Sequence, residues 1–360
     1  MSILQSNDLF HLIKSLNKSE KRYFKVFTSK HVMGAQKKYI RLFDVIDKQK
    51  NYNSSEIIKN TRHLSTLKNR LYEIILKSME SYPANENIDA LLQSHLHRIK
   101  ILYEKGLYKQ CEKVLVKAKH LGDKYEKYWY LAELVRWKTE LIRVQSYHGT
   151  TEEKILENFQ SEFKAMDKYR NEREYWLLAA QMYIKTNKEG PTRKSADLKE
   201  YEKIIKHSLL KSETHALSYH ALAQFYFSYI LYYESKDDFE KFYFYSKKLV
   251  QLMEKYPHQI SDYPQRYIVA LFNLVLGLSK LEKYKEMIFY IQKLKALDIK
   301  SESLKDYIFY SVSFLELGMY IGTGRFKEGL PLTFAIEEKL KKPNAKIIDE
   351  QRVIVFYSSI

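Results

Sequence analysis

Four aromatic residues recur at nearly constant spacing along this chain. They are Tyr108, Phe239, Tyr284 and Phe326. The last three are 45 and 42 residues apart, and the 131 residues that separate the first two are close to three such intervals. A period of this length, in a chain with almost no strand signal, predicts stacked helical hairpins.

Apolar residues occupy equivalent positions around each of these aromatics. The positions sixteen, twelve, nine and six residues before it, and six and ten residues after it, are apolar or aromatic in all four copies. The column nine residues earlier holds Ile99, Ile230, Val275 and Leu317. Steps of three and four residues place the earlier columns on one face of an α-helix. Each copy is therefore predicted to be two helices joined by a short turn, with the turn aromatic packed back on the first helix.

The composition also favours long helices. Glycine and proline together make up only 16 of 360 residues, so the chain has little material for β-turns or glycine-rich loops. Hydrophobic residues make up 45% of the chain, enough for a substantial core, and the 31 tyrosines and 18 phenylalanines predict interhelical layers filled with rings. We predict an all-α fold.

Two of the turns carry a further pattern of small residues. They read Gly106-x-Tyr108-x-x-Cys111 and Gly324-x-Phe326-x-x-Gly329. A small residue three positions after the aromatic resembles the tetratricopeptide repeat. The other two copies place Phe242 and Met287 there, and the period of about 43 is longer than the family's usual length of about 34. The resemblance covers roughly residues 88–360 and implies a right-handed α-solenoid of stacked helical hairpins with a concave binding surface.

The chain is predicted to divide near Pro83 and Asn85, where helix-breaking residues interrupt the pattern. Residues 1–84 do not follow the repeat and are predicted to form an N-terminal helical bundle. Residues 85–360 are predicted to form the tetratricopeptide-like solenoid, with about six hairpins. The helices predicted for the bundle are Asp8–Leu16, Asn17–Lys30, Lys37–Lys48, Ser54–Lys59 and Leu64–Ser81.

Two of the predicted hairpins match the repeat poorly and occupy the middle of the solenoid. They pair Tyr128–Gln145 with Glu152–Tyr169, and Tyr175–Lys185 with Leu198–Leu210. The inner stripe of the predicted helix Glu152–Tyr169 consists of Ile155, Phe159, Phe163 and Met166. The stretch Thr186–Lys194 is the most polar in the chain and is predicted to be a mobile loop.

Both ends of the chain and its single cysteine give information about where in the cell the protein is located. The start, Met1–Asp8, lacks the basic and apolar regions of a signal peptide. The most apolar run, Tyr267–Leu278, is shorter than the roughly 20 residues that span a bilayer. With Cys111 alone, a disulfide framework is excluded. We expect a cytoplasmic protein without a transmembrane segment. The apolar end, Val353–Ile360, is either a final helix on the last hairpin or the sign of a longer solenoid.

The net charge of +17 suits an anionic partner, although lysines that solubilise helices explain it more simply. The candidate face for such a partner lies in the N-terminal bundle and consists of Lys14, Lys18, Lys21, Arg22, Lys25, Lys68 and Arg70. The first five follow helical spacing and either contact phosphates or form a solvated face. The last two lie in a stretch, Ser54–Leu76, that resembles a helix-turn-helix, a pattern that any two adjacent helices produce.

No residue pattern points to catalysis or to a cofactor. The histidines of the pairs His95/His97 and His215/His220 diverge on a helix, and the chain has no His-Glu-x-x-His, no cysteine pair and no Gly-Lys-Ser/Thr. Cys111 occupies a small packing position, which predicts a core thiol. We expect no catalytic residues, no metal site, no cofactor and no enzymatic activity.

The leading functional prediction is a protein–protein interaction scaffold that binds a peptide or helix in a solenoid groove. Tyr103, Tyr226 and Tyr232 lie off the main stripe and are candidates for that groove, although packing between hairpins explains each of them more simply. The alternative is a nucleic-acid-associated regulator that uses the basic N-terminal bundle, with the solenoid as a sensor. Nucleic acid is the less favoured partner, and the sequence does not indicate the oligomeric state.

Overall fold

The computed structural model describes residues 7–31, 34, 36–53, 64–82, 87–189, 195–299 and 301–341. Regular structure in these residues is helical and includes no strand, which confirms the all-α prediction. Within the same residues, no helix combines the length and apolar content needed to cross a bilayer. The C-terminal segment Val353–Ile360 and the predicted helix Ser54–Lys59 lie outside the described residues.

Contacts between residues divide the chain into two compact units, Met1–Asn87 and Ile88–Ile360. The first unit contains helices α1 (Asp8–Ser15), α2 (Lys18–His31), α3 (Gln36–Lys48) and α4 (Leu64–Glu80). Its core is built from side chains of all four helices, including Ile13, Phe24, Phe43 and Leu71. The rings of Phe24 and Phe43 stack with their centroids 4.5 Å apart.

The second unit contains the remaining described helices. They are α5 (Ile88–Glu104), α6 (Tyr108–Lys124), α7 (Tyr128–Val144), α8 (Glu152–Glu189), α9 (Ser195–Ile205), α10 (Tyr219–Ser235), α11 (Phe239–Lys255), α12 (Pro257–Asp262), α13 (Pro264–Lys280), α14 (Tyr284–Lys295), α15 (Glu302–Gly322) and α16 (Phe326–Leu340). Consecutive helices pack as pairs, notably α5 with α6, α10 with α11, α13 with α14 and α15 with α16. This arrangement is compatible with a helical-repeat solenoid.

The four repeated aromatics each begin the second helix of a pair. The column nine residues before them is buried in every copy, and so are the positions three and ten residues after them. The position three residues after the aromatic accepts Cys111, Phe242, Met287 or Gly329, so burial, rather than small size, is what the four copies share. One expectation is wrong: Phe326 is 63% exposed and does not pack back on its own hairpin.

All four hairpin turns have the same backbone geometry. The residue two positions before the aromatic is left-handed, with φ values of 71° at Gly106, 53° at Asp237, 56° at Glu282 and 70° at Gly324. The N–H of the next residue donates to the carbonyl five residues earlier, as from Leu107 to Leu102 at 2.9 Å. This is the Schellman motif, which satisfies carbonyl groups at the end of the first helix. The repeat is therefore a recurring turn as well as a recurring apolar face.

The middle of the second unit differs from the sequence prediction. Two helices were expected over Glu152–Tyr169 and Tyr175–Lys185, but one uninterrupted 38-residue helix, α8, spans both. Its sequence contains no glycine or proline, so nothing stops the helix between the two predicted pieces. Residues 186–189 of the predicted loop are also helical, and residues 190–194 lie outside the described residues. The predicted helix Leu198–Leu210 ends at Ile205 and is followed by two short 3₁₀ turns.

The turn geometry predicts a gain in stability from Glu282→Gly. A left-handed residue with a Cβ costs about 1–2 kcal/mol, and the greater freedom of glycine in the unfolded chain returns part of that. We therefore expect a net gain of about 0.5–1 kcal/mol in urea unfolding. Gly106→Ala should lose a similar amount through backbone strain alone, because its added Cβ would meet no atom within 4 Å.

Lys117→Gly is the matched control for these turn variants. It lies in the exposed middle of α6, where glycine weakens a helix by about 1 kcal/mol. Destabilisation by Glu282→Gly comparable to that by Lys117→Gly would contradict the strain argument.

Candidate partner-binding surface

The first half of α8 directs its polar side toward its own protein. Asn158 accepts a hydrogen bond from Lys138 of α7 at 2.6 Å, and Lys168 donates to the Tyr128 hydroxyl at 3.3 Å. Between them, Ala165 is buried against Tyr128. These positions are separated by seven and three residues and share one side of the helix. Packing in this half of α8 therefore uses amide, ammonium and methyl groups rather than large apolar side chains.

Large apolar side chains cover the solvent-facing side of the same half-helix. We call this surface the α8 apolar face; it consists of Leu156, Phe159, Phe163, Met166 and Tyr169. Their exposed fractions lie between 37% and 58%. The spacings of three and four residues align them in one stripe, and the Phe159 and Phe163 rings meet edge to face at 5.1 Å.

Trp129 of α7 widens the α8 apolar face. It is 62% exposed, and its ring centroid lies 5.9 Å from that of Tyr169. If about half of each side chain is accessible, the five residues of the face and Trp129 expose roughly 500–600 Å² together. Contiguous apolar patches of that size are at the upper end for monomeric proteins and are often functional.

Charges of opposite sign border the two ends of the α8 apolar face. Glu152 and Glu153 are exposed in the first turn of the helix. Arg170 and Arg173 are exposed just beyond the last apolar residue of the stripe, and Arg170 pairs with the exposed Glu174 at 3.3 Å. Arg173 stacks on the ring of Trp176 at 4.4 Å, which keeps the guanidinium on the surface. The face therefore begins at an acidic end and finishes at an end that carries two arginines beside Glu174.

A buried lysine joins distant parts of the second unit. Lys127 follows the left-handed residue Glu126 in the turn between α6 and α7 and is 8% exposed. Its ammonium group is 2.8 Å from both Asp89 and Asp262 and donates to the Tyr263 hydroxyl at 3.0 Å. Burial alone would lower the pKa of Lys127, but the bonds to Asp262, Asp89 and Tyr263 outweigh it and raise the pKa above its ordinary value. The lysine is therefore held charged and fully engaged.

Two further ionisable groups beside this lysine have shifted pKa values. Burial raises the pKa of Glu172, on α8, to about 7, against the opposing effect of Arg266 and Arg173. Burial, with help from Arg266 and Lys127, lowers the pKa of His220 to about 4. A neutral His220 accepts a hydrogen bond at Nδ1 from Arg266 at 3.3 Å, because a guanidinium can only donate. The bond between His220 and Arg266 joins α10 to α13, and Glu172 of α8 lies within electrostatic range of Arg266.

The three tyrosines predicted to line a groove are divided by the structure. Tyr226 is 6% exposed, and its hydroxyl donates to Glu213 at 2.8 Å, so it is a core residue and not part of an open surface. Tyr103 is half-buried and meets the Trp137 ring edge to face at 5.5 Å. Tyr232 is half-buried beneath the ammonium group of Lys236, 4.8 Å from the ring centroid. The three do not form a stripe comparable to the α8 apolar face.

Internal partners occupy four of the seven predicted basic residues. Lys21 pairs with Asp47 at 2.6 Å, and Lys25 pairs with Asp44 at 2.7 Å. Lys14 donates to the Asp47 carbonyl, and Lys68 donates to the Tyr52 hydroxyl at 3.0 Å. The remaining three, which are exposed, are Lys18, Arg22 and Arg70. Lys14, Lys21 and Lys25 therefore attach α1 and α2 to α3, a contact that the helical spacing of lysines could not reveal.

Sequence reasoning found the residues of the α8 apolar face but placed them inside. Phe159, Phe163 and Met166 were predicted to form an inner stripe, and each is at least half exposed. The available signal was the opposite side of the helix, where Asn158, Ala165 and Lys168 continue in phase with the buried Tyr175. That phase is visible only when residues 152–189 are treated as one helix.

Comparison with known proteins adds no relative: no protein-family model, curated protein or solved structure matches this chain. Across the part of the chain that the structure describes, no group of three or more histidine, cysteine, aspartate or glutamate side chains is arranged to hold a metal ion. Cys111 is buried, and burial raises the pKa of its thiol. The strongest candidate site is therefore a surface.

The buried lysine predicts a large loss of stability from Lys127→Met. Removing the ammonium group leaves Asp262, with a side chain only 1% exposed, without its buried counter-charge. Breaking a buried pair in this way costs about 3–5 kcal/mol. Lys119→Met is the matched control, because its pair with Asp123 is exposed and contributes less than about 0.5 kcal/mol. Similar urea midpoints for the two variants would contradict the assignment.

The pKa of Glu172 predicts a pH-dependent effect of Glu172→Gln. Between pH 4.5 and about 7 the unfolded chain releases a proton that folded Glu172 retains, so this residue makes stability fall as pH rises. The variant should match the wild type below pH 4.5 and be more stable by roughly 1–3 kcal/mol above pH 7. Unfolding measured from pH 4 to 8 checks this. The exposed neighbour Glu174→Gln should show a smaller change, and a flat difference for Glu172→Gln would refute the prediction.

Proposed function

We propose that this protein is a non-enzymatic interaction scaffold of the cytoplasm. In this proposal, residues 85–360 form a tetratricopeptide-like, right-handed α-solenoid, and residues 1–84 form a separate helical bundle that precedes it in the sequence. The scaffold binds a helix of a protein partner along the α8 apolar face. The observation that carries the proposal is the orientation of α8, which packs its polar side inward and leaves Phe159 and Phe163 half exposed.

The energetics of this orientation support a docking surface. Burying apolar surface contributes roughly 25 cal/mol per Å², and the α8 apolar face forgoes that burial. Turning α8 to bury its rings would expose Tyr175 and Met182 of the second half, which are fully buried, and would break the polar bonds of Asn158 and Lys168. A partner helix with apolar residues at i, i+3 or i+4 and i+7 would recover that burial. Exposed aromatic side chains are typical anchors of such interfaces.

The shifted ionisable groups suit this non-catalytic proposal. Glu172, Lys127 and His220 engage one another or nearby arginine, aspartate and tyrosine side chains. The bonds of Lys127 and His220 stabilise the junction that positions α8, and Glu172 is an unfavourably buried neighbour of it. A nucleic-acid-associated regulator is the second candidate, and its support is the exposure of Lys18, Arg22 and Arg70. The internal partners of the other four basic residues make it the weaker one.

Photo-crosslinking in the native cell tests the proposed surface. A benzoylphenylalanine introduced at Phe163 should give a discrete adduct with a protein partner, identified by mass spectrometry. The same probe at Val116, which is 70% exposed on α6, is the control and should give none. The substitution Met166→Ser should weaken the adduct at Phe163 without changing the circular dichroism spectrum, because the side chain is half exposed. Only intrachain adducts, or none, at Phe163 would overturn the proposal.

A further inference from the structure

We infer that the partner on the α8 apolar face is the same face of a second copy of this chain, with the two α8 helices antiparallel. The inference rests on the proposed function, since it assigns an occupant to the docking surface described there. It would make the protein a two-fold symmetric dimer. In a two-fold interface the same patch is used on both copies, so the patch must be complementary to itself.

The charge order of α8 has this self-complementarity. Residues 152–162 carry four carboxylates and one lysine, a formal charge of −3, whereas residues 163–174 carry four basic and three acidic side chains, a formal charge of +1, with Arg170 and Arg173 exposed. From Glu153 to Arg173 the helix extends about 30 Å, at 1.5 Å per residue. An antiparallel partner places opposite charges together at both ends of this length. A parallel partner places like charges together at both ends, so the charges select the antiparallel arrangement.

The apolar spacing specifies a register for this pair. Leu156, Phe159, Phe163 and Met166 follow steps of three, four and three, which is the seam pattern of paired helices. A two-fold axis between positions 162 and 163 brings the two Phe163 rings close together and sets Phe159 against Met166 of the second copy. The same register sets Glu152 opposite Arg173 of the second copy. One alignment therefore satisfies both the apolar centre and the charged ends.

The available area agrees with a reversible dimer. The α8 apolar face and Trp129 expose roughly 500–600 Å² per copy, so a dimer would bury about 1,000–1,200 Å² in total. That area is at the low end for specific protein interfaces. We therefore expect a dissociation constant on the order of micromolar, and an equilibrium that depends on protein and salt concentration.

Charge reversal on the full-length chain tests the arrangement. Wild type should change from monomer to dimer over the micromolar range in sedimentation equilibrium. Glu152→Lys with Glu153→Lys makes both ends of α8 basic, and Arg170→Glu with Arg173→Glu makes both ends acidic. Each double variant should weaken self-association at least tenfold. An equimolar mixture of the two should restore a dimer that contains one copy of each.

The chain with all four charge reversals is the control for folding. It should dimerise like wild type, because each lysine again faces a glutamate of the antiparallel copy. Its recovery would show that the double variants lost a contact rather than their fold. The double variants themselves test orientation: a parallel pair has like charges together at each end before and after a reversal, so neither double variant would weaken it.

Three outcomes would overturn the inference. They are a wild type that stays monomeric at several hundred micromolar, a dimer that tolerates both charge reversals, and variants that do not recover on mixing. Photo-crosslinking at Phe163 separates these failures from failure of the proposed function. An adduct with a different protein, from a monomeric chain, would leave the docking surface in place and replace its occupant. An adduct with residues 1–87 of the same chain would remove both.

Discussion

One buried ammonium group holds together parts of the second unit that are far apart in sequence. Lys127 joins Asp89, at the start of α5, to Asp262, at the end of α12. The lysine can reach both because the preceding residue, Glu126, is left-handed and turns the chain between α6 and α7. The carboxylate of that same Glu126 accepts the backbone N–H of Tyr219 at the start of α10. Turn geometry and buried charge are therefore coupled at one place.

This coupling explains how α8 can keep an unusual orientation. The middle of the helix carries Asn171 and Glu172, which lie at the charged junction. Asn171 bonds to the backbone of His215 and Leu217, so its side chain fixes both the position and the rotation of α8. Tyr175 and Met182 in the second half of α8 are fully buried and hold the same rotation. With the helix held in this way, its first half follows at 100° per residue and presents Phe159 and Phe163 to the outside. The exposed surface is thus a consequence of contacts made elsewhere on the same helix.

The hairpins on either side were largely predictable from local pattern. A period in turn aromatics predicted where α6, α11, α14 and α16 begin, because each turn needs the same backbone and each helix buries the same columns. The prediction of which side chains are buried was less accurate than the prediction of where helices begin. Phe326 has the right spacing but stays exposed, and Tyr226 lies off the main stripe but is buried in the core. Spacing identifies a helix face, but the partner of that face depends on neighbouring hairpins.

The candidate site shows the same limit more sharply. Helical spacing grouped Lys14, Lys21 and Lys25 as one basic face. On another helix, however, Asp47 and Asp44 pair with Lys21 and Lys25, and the Asp47 carbonyl accepts a hydrogen bond from Lys14. Helical spacing also grouped Phe159, Phe163 and Met166 correctly and then assigned them to the interior. In both cases the sequence correctly identified residues that share a helix face. It predicted the wrong environment for that face, because the environment is formed by residues distant in sequence.

By itself, therefore, the sequence determined the all-α class, the helix starts that follow the aromatic turns and the columns that lie on each helix face. These properties follow from interactions within a few residues, namely capping, backbone conformation and periodicity. Tertiary structure alone decided which side of α8 is covered and which lysines are neutralised. Those outcomes depend on polar contacts such as Lys127 with Asp262, whose partners are far apart in the chain and become neighbours only on folding.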